Sequence, residues 1–152
     1  VGRLDRDSTG LLIMTDDGDL AHRLTHPSCG CTKTYIVDVE ERVSRDALNQ
    51  LKEGVRLEDG PARAAEIAVI ENGQRTTRLR IVMTEGRKRI VRRMCAAIGH
   101  PVVALERSAV GPLQLGDLKK GEIRPLTPRE VAALRKAAPP VARSSKSEGP
   151  RK

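Results

Sequence analysis

The chain opens with the segment Gly2-Arg3-Leu4-Asp5-Arg6-Asp7-Ser8-Thr9-Gly10-Leu11-Leu12. Asp5 stands between Arg3 and Arg6, and nearby cations favour the ionised form of a carboxylate. An ionised, positioned carboxylate is what nucleophilic or general-base chemistry requires. Gly2 and Gly10 allow the backbone to turn tightly on either side of it. Taken alone, this charge pattern is more typical of a surface ion pair, so the assignment depends on the rest of the chain.

The composition is basic and almost free of aromatic side chains. There are 28 Lys and Arg against 20 Asp and Glu, a formal net charge of +8, which suits a polyanionic partner with phosphate groups. Tyr35 stands alone among Phe, Trp and Tyr, so an aliphatic core is expected. Cys29, Cys31 and Cys95 indicate no disulfide framework and fit a reducing, cytoplasmic setting. No apolar run approaches the roughly 20 residues of a membrane span.

Apolar periodicity and turn residues predict interspersed strands and helices. The predicted strands are 11–15, 34–39, 55–57, 64–70, 77–83 and 102–110, and the predicted helices are 19–25, 45–53, 85–98 and 128–137. Asn72-Gly73 predicts a hairpin into the strand that follows. Ser44 is expected to cap the second helix, and Thr127 with Glu130 forms a capping box for the last. We therefore expect an α+β fold, with a mixed, mostly antiparallel sheet and flanking helices.

Two further segments carry candidate functional residues. Lys33-Thr34-Tyr35-Ile36-Val37 begins a predicted strand, and the face of Tyr35 suits a base taken out of a nucleic-acid stack. A core tyrosine is the simpler interpretation. The second segment is Glu85-Gly86-Arg87-Lys88-Arg89-Ile90-Val91-Arg92-Arg93-Met94, with five cations in seven positions. Its apolar stripe predicts a helix that packs on the core and presents a positive surface to a partner. The simpler interpretation is an ordinary basic face exposed to solvent.

The three segments together resemble the motifs of pseudouridine synthases that modify small-subunit and large-subunit ribosomal RNA. The opening segment is similar to the family's active-site loop, GRLDxxTxGLL, with Ser8-Thr9 where the family often has Thr-Ser. The others resemble its Lys-x-Tyr segment and its EGRxRQVRRM segment, with Ile90 where Gln is common. The resemblance implies a catalytic Asp5, a Tyr35 that stacks on the flipped-out uracil, and an Arg92 that pairs with Asp5.

The reaction that this resemblance implies detaches uracil from its ribose, rotates it and rejoins it through carbon. No redox step or external group enters, so no cofactor is expected. The partner would be stem-loop ribosomal RNA, with large-subunit RNA favoured by the EGRxRxVRRM segment. The candidates for phosphate contacts are Arg3, Arg6, Lys33, Arg87, Lys88, Arg89 and Arg93. A non-catalytic RNA-binding or ribosome-assembly module would use the same basic segment without needing a carboxylate.

One alternative constellation points to a metal. His22, His26, Cys29 and Cys31 supply four metal-type ligands in ten residues, but their spacing is not a common zinc pattern. Asp16-Asp17-Gly18-Asp19 lacks the downstream glutamate of an EF-hand loop and is interpreted as a turn. We therefore expect no metal site.

The resemblance also bears on domain organisation. The catalytic domain is expected to span residues 1–138, and the nearly apolar-free residues 139–152 are predicted to form a disordered basic tail. Family members usually carry an N-terminal RNA-binding domain and more of the sheet before the GRLD loop. We thus expect a partial catalytic domain in which at least one strand is missing or supplied by another chain. It is also expected to be less stable than the intact protein.

Overall fold

The structure, a computed structural model, describes residues 1–140, so most of the predicted tail lies outside the described residues. Its helices are α1 (Gly18–Thr25), α2 (Arg45–Glu53), α3 (Ile90–Ala97) and α4 (Pro128–Ala137), with a short 3-10 helix at Pro27–Cys29. Its strands are β1 (Thr9–Gly10), β2 (Lys33–Glu40), β3 (Val55–Leu57), β4 (Gly60–Ala62), β5 (Glu66–Asn72), β6 (Thr76–Met83), β7 (Val102–Val110) and β8 (Leu113–Gln114). None of the helices in this part of the chain has the length and apolar character that crossing a bilayer requires.

The main sheet has the order β1-β7-β2-β6-β5, and β8 adds to β7. Only the short β1–β7 pairing is parallel; the other ladders are antiparallel. The hairpin β3–β4 forms a separate two-stranded sheet. The predicted mixed, mostly antiparallel sheet with flanking helices is therefore confirmed.

Two hydrophobic clusters surround this sheet. The larger one lies on the face that carries Val37, Leu79 and Leu105, and it is closed by Leu51 of α2 and Met94 of α3. The smaller cluster packs segments near the chain start against α1, β8 and α4. Because both clusters are aliphatic apart from Tyr35, the expectation of an aliphatic core holds for the described residues.

Several local predictions are confirmed. The Ser44 side chain accepts from the Ala47 amide and begins α2. The capping box of Thr127 and Glu130 begins α4. The β5–β6 hairpin turns after Asn72, although β5 is displaced by two residues from the predicted 64–70. These are places where a short side chain or turn residue decides the backbone locally.

The predicted strand at 11–15 is wrong. Only Thr9 and Gly10 pair with β7, and the chain then leaves the ladder. The carbonyl of Leu11 accepts a hydrogen bond from Nε of Arg107 at 2.9 Å, so a side chain takes the place of a ladder partner. Leu11 and Ile13 are buried in the smaller cluster while Met14 is exposed, and this alternation is what resembles a strand in the sequence.

The predicted helix at 85–98 is too long at its start. The helix begins at Ile90, and Arg89 before it adopts a left-handed conformation with φ of 53°. A non-glycine residue in that region is uncommon, and it separates the loop from the helix. Arg87, Lys88 and Arg89 therefore lie in the loop that precedes α3, and only Arg92 and Arg93 of the five cations lie on the helix itself.

Candidate functional site

An open pocket of about 390 Å³ lies where the opening loop, the start of β2, the loop before α3 and β7 meet. Asp5 supplies the one carboxylate among its lining residues, and Tyr35 the one aromatic ring. Its cationic lining residues are Arg3, Lys33, Arg87, Lys88, Arg89, Arg92 and Arg107. Of the predicted site residues, Arg6 and Arg93 do not line it. The pocket therefore surrounds a single carboxylate with positive charge.

Asp5 is held by a turn in the opening loop. The amide of Ser8 donates to the carbonyl of Asp5 at 3.0 Å, which closes the loop just before β1. The Asp5 side chain is 30% exposed, and its Oδ2 lies 3.8 Å from Nη1 of Arg89. Asp5 thus has a cation close by and remains open to the pocket.

The predicted pairing of Arg92 with Asp5 is wrong in this structure. Nη2 of Arg92 instead donates to the Asp7 carbonyl at 2.7 Å and to the Ser8 hydroxyl at 3.2 Å. It also lies 3.5 Å from the Asp7 carboxylate. Arg92 therefore forms hydrogen bonds with the loop that carries Asp5, while the cation nearest the Asp5 carboxylate is Arg89. The reason is geometric, because Arg92 is on the first turn of α3 and lies beside residues 7 and 8 rather than beside residue 5.

Asp7 is a member of the site that sequence reasoning missed. Arg89 donates to both of its carboxylate oxygens, at 3.2 and 3.3 Å. That hydrogen bonding, with the nearby charge of Arg92, holds the pKa of Asp7 below its usual value. The available signal was its place in the opening segment, two residues after Asp5. Asp7 thus engages both Arg89, which also lies near Asp5, and Arg92, which holds the loop.

Tyr35 lies on β2 with its side chain on the core face of the sheet. It is 8% exposed and belongs to the larger hydrophobic cluster, yet it also lines the pocket. Its ladder partners are Ile81 on β6 and Arg107 on β7. Because the ring is fixed by the core and meets the pocket, it can offer a rigid apolar surface to a planar ligand.

Arg107, on β7, is a second residue of the pocket that sequence reasoning missed. It is 6% exposed, and Nε donates to Leu11 as described above. Lys33 lies nearby on β2 and donates from Nζ to the carbonyl of Leu24 at 3.2 Å. Burial lowers the pKa of Lys33, and the Arg107 charge adds to that effect. A buried arginine on a strand is a signal that could have been found, since charges are rarely buried without a role.

The other predicted RNA-binding residues divide into two groups. Arg87 and Arg93 form ion pairs with Asp59 in the β3–β4 hairpin, at 3.0 and 2.9 Å. Arg3, Arg6 and Lys88 are exposed and form no ion pair within the described chain. Arg87 thus connects the hairpin to the pocket, and Arg3 and Lys88 add exposed positive charge to its lining.

The four metal-type residues near α1 do not converge. The rings of His22 and His26 are tilted by 56° with their centroids 5.0 Å apart, and Cys31 is buried. Within residues 1–140, no three His, Cys, Asp or Glu side chains are grouped so that they could hold a metal ion.

Lys33 should make stability depend on pH in the alkaline range. Its pKa is lower in the folded chain than the ordinary value of about 10.4. Between the two values the unfolded chain binds more protons, so this residue's contribution to stability rises with pH. We expect the free energy of unfolding of the wild type, relative to Lys33→Met, to increase between pH 7 and pH 10 in urea titrations. Lys120→Met, at an exposed position, should show no such change; a matching trend there would contradict the assignment.

Comparison with known proteins gives a consistent result. The family model for RNA pseudouridylate synthase matches residues 1–97. The chain is 44% identical to the ribosomal small subunit pseudouridine synthase A of Escherichia coli, over 88% of this chain and 57% of that protein. It is 41% identical to the ribosomal large subunit pseudouridine synthase B of Bacillus subtilis, over 91% of this chain and 57% of that protein.

A solved structure shares the fold. A crystal structure of a pseudouridylate synthase superposes with a TM-score of 0.81 at 38% identity, over 88% of this chain and 57% of that chain. An RNA pseudouridine synthase of Mycobacterium tuberculosis is 44% identical over 90% of this chain and 54% of its own length. The chain therefore spans about half the length of the curated relatives that it matches.

Proposed function

The chain belongs to the RNA pseudouridylate synthase family, and on that premise we propose that its pocket converts uridine to pseudouridine in ribosomal RNA. The observation that carries the proposal is the convergence of Asp5 and Tyr35 on one cationic pocket. These residues are 30 positions apart in sequence, and the fold brings the single lining carboxylate and the chain's only tyrosine to the same place.

The reaction needs no atoms beyond those of the nucleotide. The bond between C1′ of the ribose and N1 of uracil breaks, and a bond between C1′ and C5 forms. The proton on C5 leaves and N1 regains one, so the product is an isomer. Asp5 either attacks the nucleotide or removes a ribose proton, and an ionised carboxylate serves in both cases. Uracil must leave the RNA stack to reach it, and Tyr35 offers the surface on which it rests.

The arginines have positioning roles in this proposal. Nη1 of Arg89 lies 3.8 Å from Oδ2 of Asp5, close enough to help orient the carboxylate. Arg92 holds the backbone and hydroxyl of the loop beyond Asp5 and so fixes where the carboxylate points. Asp7 neutralises part of this charge and orders both arginines.

Ribosomal RNA is proposed from the chemistry and from the relatives. The exposed cations Arg3, Arg6 and Lys88 suit the phosphates of a structured RNA, and such contacts make binding salt-dependent. Two relatives are named for ribosomal subunits, one small and one large, and their identities of 44% and 41% do not separate the two. We retain large-subunit RNA as the proposed target because the segment before and within α3 resembles that group.

The direct test is to map pseudouridine in both ribosomal RNAs of a strain that lacks the gene. We expect one or a few uridines in large-subunit RNA to remain unmodified, and plasmid-borne expression of the protein to restore them. The purified protein should then modify the same positions in a transcript of that region. If a pseudouridine is lost from small-subunit RNA instead, the proposed activity stands and the substrate is small-subunit RNA.

A different outcome would support the non-catalytic alternative. If the protein binds the transcript in a salt-dependent way but the deletion strain retains every pseudouridine, the chain acts as an RNA-binding or assembly module. That result would overturn the enzymatic proposal, because a cationic pocket suffices for binding and a positioned carboxylate does not contribute to it.

A further inference from the structure

Arg107 is a buried cation whose charge has no counterion in the described chain. Its side chain is nine-tenths buried at 6% exposure, and its single hydrogen bond is the one from Nε to the Leu11 carbonyl. Within residues 1–140 its two terminal nitrogens have no acceptor, and no carboxylate lies within 4.0 Å. These nitrogens are nevertheless not fully buried. In this part of the chain, the side-chain atoms that are both fully buried and without a partner belong to Arg23 and Arg92, not to Arg107. The terminal nitrogens therefore keep an open side, and Arg107 lines both this pocket and a smaller adjoining cavity.

An uncompensated guanidinium in such a place is costly. Removing a charge from water costs several kcal/mol unless a partner offsets it, and proteins usually supply that partner from a nearby carboxylate. Asp5 is the only carboxylate among the residues that line this pocket, and its contact is with Arg89. An anion entering through the open side of the pocket would complete the missing ion pair.

Lys33 supplies a second cation to the same position. It lines the pocket together with Arg107, and both also line a smaller adjoining cavity. Its Nζ has one protein acceptor, the Leu24 carbonyl, which leaves two donors for a ligand. The charge of Arg107 is close enough to depress the pKa of Lys33, so the two cations repel each other until an anion lies between them.

We propose that Arg107 and Lys33 form a phosphate subsite that takes the phosphate of the nucleotide whose base rests on Tyr35. Tyr35 and Arg107 are directly opposite each other in the β2–β7 ladder, and opposite side chains stand on the same face about 5 Å apart. Lys33 lies two positions from Tyr35 on the same strand and also faces the pocket. The base and the phosphate of one nucleotide would therefore find adjacent places. This assignment of the base to Tyr35 rests on the proposed function.

The chain's single tyrosine makes the subsite measurable. With 13C-labelled tyrosine, the Tyr35 resonance can be followed during titration with uridine 5′-monophosphate, uridine or inorganic phosphate, with sodium chloride keeping the ionic strength constant. We expect the monophosphate to bind about tenfold more tightly than uridine, as charge-assisted hydrogen bonds to a phosphate allow. Inorganic phosphate alone should also shift the resonance. Arg107→Gln should bring the affinity ratio close to one, and Arg42→Gln, an exposed control of equal charge, should preserve it.

The outcomes are distinct from those that test the function. Equal wild-type affinities for the monophosphate and uridine, or a ratio that Arg107→Gln leaves unchanged, would overturn the subsite. If Arg107→Gln fails to fold because the bond to Leu11 is lost, Lys33→Met and the wild-type titrations decide, and the ratio should fall in Lys33→Met. A phosphate preference without pseudouridine formation would keep the subsite and remove the function. Pseudouridine formation together with equal affinities for the monophosphate and uridine would keep the function and remove the subsite.

Discussion

Asp5→Asn should abolish pseudouridine formation while the protein still binds RNA. Asparagine keeps the shape of the side chain but can neither attack carbon nor accept a proton as a carboxylate does. Loss of a general base lowers rates by about 10² to 10⁴, and loss of a nucleophile lowers them further. We expect a fall of at least about a hundredfold in single-turnover conversion of a ribosomal RNA transcript, measured by chemical mapping of pseudouridine.

The fold should tolerate this substitution. The Asp5 carboxylate is partly exposed, and its ion pair with Arg89 spans 3.8 Å, so its removal should change the free energy of unfolding by no more than about 0.5 kcal/mol. RNA affinity should stay equal or rise slightly, because one negative charge leaves a cationic pocket. Asp16→Asn, at an exposed position away from the pocket, is the matched control and should retain full conversion.

Conversion by Asp5→Asn at a rate near that of the wild type would refute the catalytic assignment. The second aspartate of the loop would then need to be tested, since Asp7 lies beside the same arginines. A variant that loses both conversion and RNA binding would instead point to a damaged loop, and the unfolding measurement would detect that damage.

That Asp5 and Tyr35 belong to one site was expected only from the resemblance of their segments to the pseudouridine synthase family, whereas local pattern predicts the backbone around them. The opening loop has glycines and charges at fixed spacing. Tyr35 lies in a β-branched strand, predicted at 34–39, that the structure reproduces with one added residue at each end. Capping residues and the Asn72-Gly73 turn were equally predictive. In each case, neighbouring residues along the chain determine the backbone conformation.

The errors arose where distant residues decide the outcome. The extended segment after Gly10 looks like a strand, but the Arg107 side chain takes the Leu11 carbonyl and ends the ladder. The apolar stripe that predicted the helix is real, yet its start depends on the left-handed Arg89, whose side chain reaches Asp7 across the loop. Sequence spacing also could not tell which of two aspartates, two residues apart, would contact Arg92. The end of the strand, the start of the helix and the partner of Arg92 are all determined by tertiary packing.

Gly10→Ala should be the most destabilising single-methyl substitution near the site. Gly10 has φ of +121°, and a Cβ built there would lie 2.4 Å from both the backbone nitrogen and the carbonyl oxygen of Arg107. Neither atom can move without breaking the β1–β7 pairing, because Arg107 also pairs with Tyr35 in the central ladder. Backbone strain and displacement of a packed strand together should cost about 3–5 kcal/mol in urea unfolding.

Gly18→Ala provides the matched comparison. Gly18 begins α1, its φ is not positive, and an added Cβ would meet nothing within 4 Å, so alanine there should leave stability equal or increase it by about 0.5–1 kcal/mol. Equal free energies of unfolding for Gly10→Ala and the wild type would show that β1 can separate from β7 at no cost. In that event the parallel pair could not be what holds the Asp5 loop against the pocket. A large loss of stability, accompanied by lower conversion even in conditions where the variant is folded, would tie the placement of Asp5 to the absence of a side chain at residue 10.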